Sequence, residues 1–141
     1  MHNRWDGGKM NIEYWNLVPA VSVNGIEFGT ERSVVKKILG KPKRVFRKTP
    51  DAGNTTDAYA DYHVYYSAED KLEAIEIFGT GISLSIDSQP VYPGTLSAAR
   101  KILPDIEENH GSFVSQRASV GIYVEDDSIV SILVGRKEYY R

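Results

Sequence analysis

Asp61 and His63 are the residues whose types and spacing could do acid–base chemistry. Side chains two positions apart in a strand leave the same face about 6–7 Å from each other, near enough for a carboxylate to pair with an imidazole. Such a pair serves either as a catalytic dyad or as ordinary polarity on a wet strand. The other histidines offer less, because His2 sits in a polar N-terminal stretch and His110 precedes Gly111 in a turn. The chain has no His-Glu-x-x-His helix, dinucleotide glycine fingerprint, phosphate-binding loop or nucleophile elbow. Gly79-Thr80-Gly81 is too short to cradle a phosphate and reads as a strand break. Asp105-Ile106-Glu107-Glu108 and Glu125-Asp126-Asp127 could attract a cation, but neither has calcium-loop spacing and both fit solvated turns. With no cysteine there is neither a thiolate metal site nor a disulfide. No metal and no cofactor is expected.

The 141 residues fit one domain, 1–141, with an ordinary core. A charged fraction of 26% beside 41% hydrophobic residues excludes a disordered or fibrous chain. The net charge of −2 hides an asymmetry, because residues 1–48 carry ten Lys and Arg against four Asp and Glu. Residues 49–141 carry seven against fifteen, a balance of −8. The basic part gathers at Lys36, Lys37, Lys41, Lys43, Arg44, Arg47 and Lys48. It could attract phosphate or an acidic protein. Lys36 and Lys37 equally suit the negative end of a helix. Phe46 alone interleaves the cluster, which weighs against a nucleic-acid stacking platform. Leu17–Val21 is too short for a signal or membrane segment, so a cytoplasmic protein that spans no membrane is expected.

Residues 1–11 are polar and contain glycine, and read as a frayed end. Asn24-Gly25, between Val21/Val23 and Ile26/Phe28, predicts a two-residue hairpin, since both turn positions favour positive φ. Thr30 then suits an N-cap, and Val34, Val35, Ile38 and Leu39 form one apolar helix face. Gly40 and Pro42 end that helix. After a loop at Thr49–Asp57, strands are expected at Ala58–Ser67, Leu72–Phe78 and Ile82–Asp87, as an antiparallel meander. Thr95–Leu103 is a second Thr-led helix stopped by Pro104, and Phe113–Arg117, Ser119–Val124 and Ser128–Val134 are strand-like.

Lys36–Gly40 aligns with Arg100–Pro104, Val64-Tyr65-Tyr66 with Ile122-Tyr123-Val124, and Leu72–Ile77 with Ile129–Val134. These alignments predict an α+β fold. It is a tandem repeat, about 20–87 and 88–141, of a short helix followed by antiparallel strands, with the helices on one face of a curved antiparallel sheet. Alternation assigns Tyr62, Val64, Tyr66, Ile75, Ile77, Val120, Ile122, Val124, Val130, Ile132 and Val134 to the core. Asp61, His63, Tyr65, Ala74, Glu76, Ser83, Ser85, Ser119, Tyr123, Ser131 and Leu133 fall on the other face.

The stretch Ile26-Glu27-Phe28-Gly29-Thr30, Val34-Val35 and Ile38-Leu39-Gly40-Lys41-Pro42 resembles two families. It is similar to the SmpA/OmlA outer-membrane assembly lipoproteins and to the repeat of the β-lactamase inhibitor proteins. It also resembles small bacterial immunity-type proteins that accompany secreted toxins. The resemblance implies a concave sheet that clasps another protein. The lipoprotein's lipid-bearing cysteine and the inhibitor's disulfides have no counterpart here.

The expected function is that of a non-enzymatic bacterial intracellular inhibitor or immunity-type protein. Its open face, with Asp61, His63, Tyr65, Glu76, Tyr123 and Leu133, would cover a partner's active site. The −8 of residues 49–141 suits a basic partner such as a secreted nuclease toxin. The alternatives are a small enzyme using Asp61 and His63, and an envelope-assembly module similar to the lipoproteins. The sequence does not decide the oligomeric state.

Overall fold

A computed structural model describes residues 3–6, 9–11 and 13–140. The chain begins with Arg4–Asp6 (β1), Lys9–Asn11 (β2), Tyr14–Val18 (β3), Ser22–Val23 (β4) and Ile26–Glu27 (β5), then the helix Arg32–Leu39 (α1). Arg44–Arg47 (β6), Thr55–Ala58 (β7), Tyr62–Tyr66 (β8), Leu72–Ile77 (β9), Ser83–Ile86 (β10) and Gln89–Tyr92 (β11) follow. The second helix, Leu96–Ile102 (α2), leads into Glu107–Asn109 (β12), Ser112–Ser115 (β13), Val120–Glu125 (β14) and Ser128–Gly135 (β15). Strands β1 and β2 pair with each other in the segment expected to fray, and His2 lies outside the described residues.

The larger sheet has eight strands in the order β12-β13-β14-β15-β9-β8-β7-β6, antiparallel throughout. The smaller has five, β11-β10-β3-β4-β5, with β10 parallel to β3. This corrects the expected fold. The chain is mostly β, and it is not a repeat of helix plus strands with helices on a sheet face. The units proposed at 20–87 and 88–141 each divide their strands between the two sheets. The break at Gly79–Gly81 does not merely punctuate a meander. Beyond it, β10 leaves the larger sheet and pairs with β3, carrying Ser83 and Ser85 away from the face assigned to them.

The physical reason lies in how much surface must be covered. Each helix buries only two side chains, Val35 and Leu39 in α1 and Leu96 and Ala99 in α2. Two such patches cannot shield one side of eight strands from water. The smaller sheet supplies the rest. Trp15, Leu17, Val23, Leu84 and Ile86 join Tyr62, Val64, Ile75, Ile77, Ile122, Ile132 and Val134 in one core. The Trp15 and Tyr62 rings meet edge-to-face with centroids 4.9 Å apart. Fully burying each such side chain is worth about 1.5–3 kcal/mol, so strand residues dominate the core.

Local signals fare unevenly. Asn24 and Gly25 form the hairpin turn with φ of 49° and 77°. Thr95 Oγ1 caps α2 by accepting from the Ala98 N–H. Thr30 does not cap α1, because its hydroxyl donates to the Glu27 carbonyl and Glu31 takes the cap position without a side-chain bond. Residues 55–57, expected in a loop, belong to β7, Thr55–Ala58. A register shift between Tyr123 and Val124 pairs Val124 with Ile129. The extra residue at this bulge is Val130, which stays 38% exposed while Ile129 turns inward.

A charged residue is sealed inside this frame. The Asp57 side chain is fully buried, and Arg32, the first residue of α1, grips both its oxygens through Nε and Nη2. The same guanidinium bonds Thr55 Oγ1, Asn54 Oδ1 and Asp70, and lies over the Tyr66 ring. Removing one partner of such a pair strands the other charge in a dry interior. Arg32→Met is therefore expected to cost about 3–5 kcal/mol in urea denaturation, and Arg32→Met with Asp57→Leu to recover much of it.

Candidate functional site

The side of the larger sheet turned away from the smaller one is built by cross-strand register. Ala58, His63, Glu76, Leu133, Gly121 and Val114 stand opposite one another in successive strands from β7 to β13. Tyr65, Ala74 and Gly135 form the neighbouring row, and Tyr123 stands opposite Ser131 on the other flank. Of the residues expected on this face, His63, Tyr65, Glu76, Leu133 and Tyr123 are thus brought onto one surface. Ser119 is not, being buried in the turn before β14.

The face is less open than alternation implies. The C-terminal segment returns across it, with Tyr139 and Tyr140 edge-to-face at 5.2 Å. The backbone track beneath them has no room for side chains. A Cβ on Gly135 would overlap the Tyr139 ring, and one on Gly121 would overlap the Tyr140 hydroxyl. Tyr65 is consequently only 9% exposed. Its hydroxyl donates to Glu76 Oε1 at 2.7 Å, and Lys48 Nζ lies 4.8 Å from its ring centroid. Burial raises the Tyr65 hydroxyl pKa, and the neighbouring Glu76 carboxylate raises it further, so it remains a proton donor. Burial likewise raises those of Tyr139 and Tyr140. Tyr65 therefore offers little surface to a partner, contrary to the expectation for it.

The Asp61/His63 pair is not formed. Among the described residues no hydrogen bond or ion pair joins them. The Asp61 side chain lies where a Cβ of Gly79 would stand, and its carbonyl accepts from the Phe78 and Gly79 N–H groups. His63 is packed edge-on to Phe46 and Phe78, with centroids at 5.3 and 4.8 Å. Burial lowers its pKa, Glu76 across the strand opposes that, and Arg44 reinforces it. The acid facing His63 is Glu76, a cross-strand neighbour that sequence spacing does not reveal without the register.

What remains open is a hollow of about 290 Å³ lined by Glu76, Ser112, Gly121, Ile122, Tyr123, Ser131, Leu133 and Tyr140. Tyr123 on its rim is 52% exposed. Ser112 and Tyr140 carried no local signal of membership, since one arrives through β13 and the other through the chain's return past β15. A second hollow of about 420 Å³ at the β12 edge is acidic, with Asp105, Glu107 and Glu108. Asp105 is already occupied there by the Ser115 hydroxyl and the Arg117 N–H. A third, of about 450 Å³, lies between β5 and α1, lined by Ile26, Phe28, Val34 and Ile38. Among the described residues no group of three or more potential ligands is placed to hold a metal, and no helix is long and apolar enough to cross a membrane.

No family model, curated protein or solved structure matches the chain.

Two measurements follow from this geometry. The folded-state pKa of His63 lies below its ordinary 6.5, so the unfolded chain takes up that proton first. Its contribution to stability is complete above pH 6.5 and falls as the pH drops through that value toward the folded pKa. His63→Phe is expected to flatten that part of the denaturation-versus-pH curve. Separately, Gly121→Ala should displace Tyr140 at a cost of about 1–3 kcal/mol. Amide exchange at Tyr139 and Tyr140 would rise while that of β9 and β15 stayed slow.

Proposed function

We propose that this chain is a non-enzymatic protein-binding module, a bacterial intracellular inhibitor or immunity-type protein that covers its partner's active site. The single observation that carries this is the half-exposed Tyr123 beside the hollow of Glu76, Ser131 and Leu133. A tyrosine on a rigid strand supplies contact area with little conformational entropy to lose, and a hollow beside it receives a side chain from the other surface. Strands set this face, so it is held in shape before docking, which lowers the cost of association.

Charge supports a basic partner such as a secreted nuclease toxin. The strands forming the open part of the face all come from residues 49–141, with their balance of −8. An opposite charge on the partner would speed encounter, most at low salt. The partner-binding set is revised to Glu76, Tyr123 and Leu133, with Ser131 and Tyr140. Asp61, Tyr65 and His63 are committed to contacts within the fold.

The test is affinity capture from lysate of the source organism with wild type and with Tyr123→Ala/Leu133→Asp. A basic enzyme retained and inhibited by wild type, and released by the double variant, is the expected result. Identical captured proteins for both forms would remove this face from consideration.

A further inference from the structure

Glu76, like the half-buried Asp61, has no cation matched to it among the described residues, but unlike Asp61 it lines the hollow described above. Asp57 is matched by Arg32, and Glu73 by Arg136 at 3.2 Å. Glu76 is half-buried, and its Oε1 is taken by the Tyr65 hydroxyl, a neutral donor. Among the described residues no Lys, Arg or His lies within ion-pair distance of it. His63, its cross-strand neighbour, is biased by burial toward the neutral imidazole and does not balance the charge. Lys48, on the other side of Tyr65, lies over that ring. A negative charge is thus left at the wall of the hollow that Tyr123, Tyr140 and Leu133 complete.

We infer that this hollow is a binding site for an arginine side chain presented by a partner protein. The inference rests on the protein-binding reading above and names what that face receives. A guanidinium is cationic and planar, and donates two parallel N–H groups to a carboxylate. Glu76, whose Oε1 already accepts from Tyr65, supplies the carboxylate for that role, and Tyr123 and Tyr140 line the same hollow with aromatic rings, which attract a cation. Ser112 and Ser131 add hydroxyl oxygens that accept the remaining N–H groups, and Leu133 meets the alkyl stem. A space of about 290 Å³ admits an alkyl guanidinium without rearrangement of the strands. Arginine is preferred to lysine because a compact ammonium would satisfy the carboxylate without stacking on either ring. Arginine seated in such a hollow is the kind of anchor that dominates interface energetics.

The probe is N-acetylarginine amide, titrated into the isotopically labelled full chain and followed by amide chemical shifts. Saturable, millimolar binding at Gly121, Ser131 and Leu133 is expected. N-acetylcitrulline amide, neutral but of the same shape, is expected to leave these amides unmoved. Glu76→Gln keeps an acceptor for Tyr65 and should weaken the arginine probe about tenfold. Tyr123→Leu leaves the carboxylate intact and should weaken it about threefold. Absence of saturable shifts, equal response to citrulline, or undiminished binding by folded Glu76→Gln would overturn the inference. Tighter binding of N-acetyllysine amide would overturn the choice of arginine. The outcomes separate from those of the capture experiment. A captured partner indifferent to Glu76→Gln would sink the arginine site and leave the binding module standing. Arginine binding by a chain that captures no partner would do the reverse.

Discussion

Asp57 is a carboxylate with no access to water, and the cation matched to it is Arg32, which reaches it from the start of α1. Three separate stretches are held by that contact. Thr55 and Asn54 bind the guanidinium from β7 and the loop before it, and Asp70 binds it from the β8–β9 turn. The Arg32 amide also donates to the Asp70 carbonyl, and Leu72 exchanges backbone hydrogen bonds with Gly29 and Thr30 just ahead of the helix. A buried ion pair adds little net energy over an apolar replacement, but separating its members is costly. Its effect here is positional. With Arg32 fixed, Val35 and Leu39 are aimed into the core, and the segment carrying the smaller sheet is joined to the larger one.

The two sides of the larger sheet are treated differently as a result. The inner side is covered by the smaller sheet and the helices, and its residues are almost wholly buried. The outer side receives the C-terminal turn, which fits because Gly121, Gly135 and Ala74 leave a track without bulk. Tyr139 and Tyr140 close over the part that holds Tyr65. The strip from Glu76 through Leu133 to Tyr123 stays accessible. This strip is shallow, carries one carboxylate, Glu76, and is bordered by Tyr123 and Tyr140.

Much of the strand pattern was legible in the residues. The alternation Tyr62, Val64 and Ile75, Ile77 identifies the inner face, because a side-chain period of two leaves no other way to bury them together. Asn24-Gly25 and Thr95 act within a few residues of themselves, so their turn and cap needed no distant partner. Val130 broke the pattern because a bulge adds one residue and reverses the alternation beyond it. The apparent repeat misled because similar helix-stop and strand patterns arise wherever a short helix precedes a strand. Nothing in them states which sheet a strand joins.

What the residues determined alone is therefore local: which segments are extended, which turns are tight, and which side of each strand is apolar. These depend on backbone sterics and on side-chain period, both properties of neighbours in the chain. Which acid faces His63, whether Tyr65 is covered, which sheet receives β10 and how Arg32 finds Asp57 were decided only by tertiary structure. Each depends on the register between strands or on a segment arriving from far along the chain. The carboxylate of Glu76 belongs to the same class, since the described cations that form ion pairs, Arg32 and Arg136, are placed on other acids.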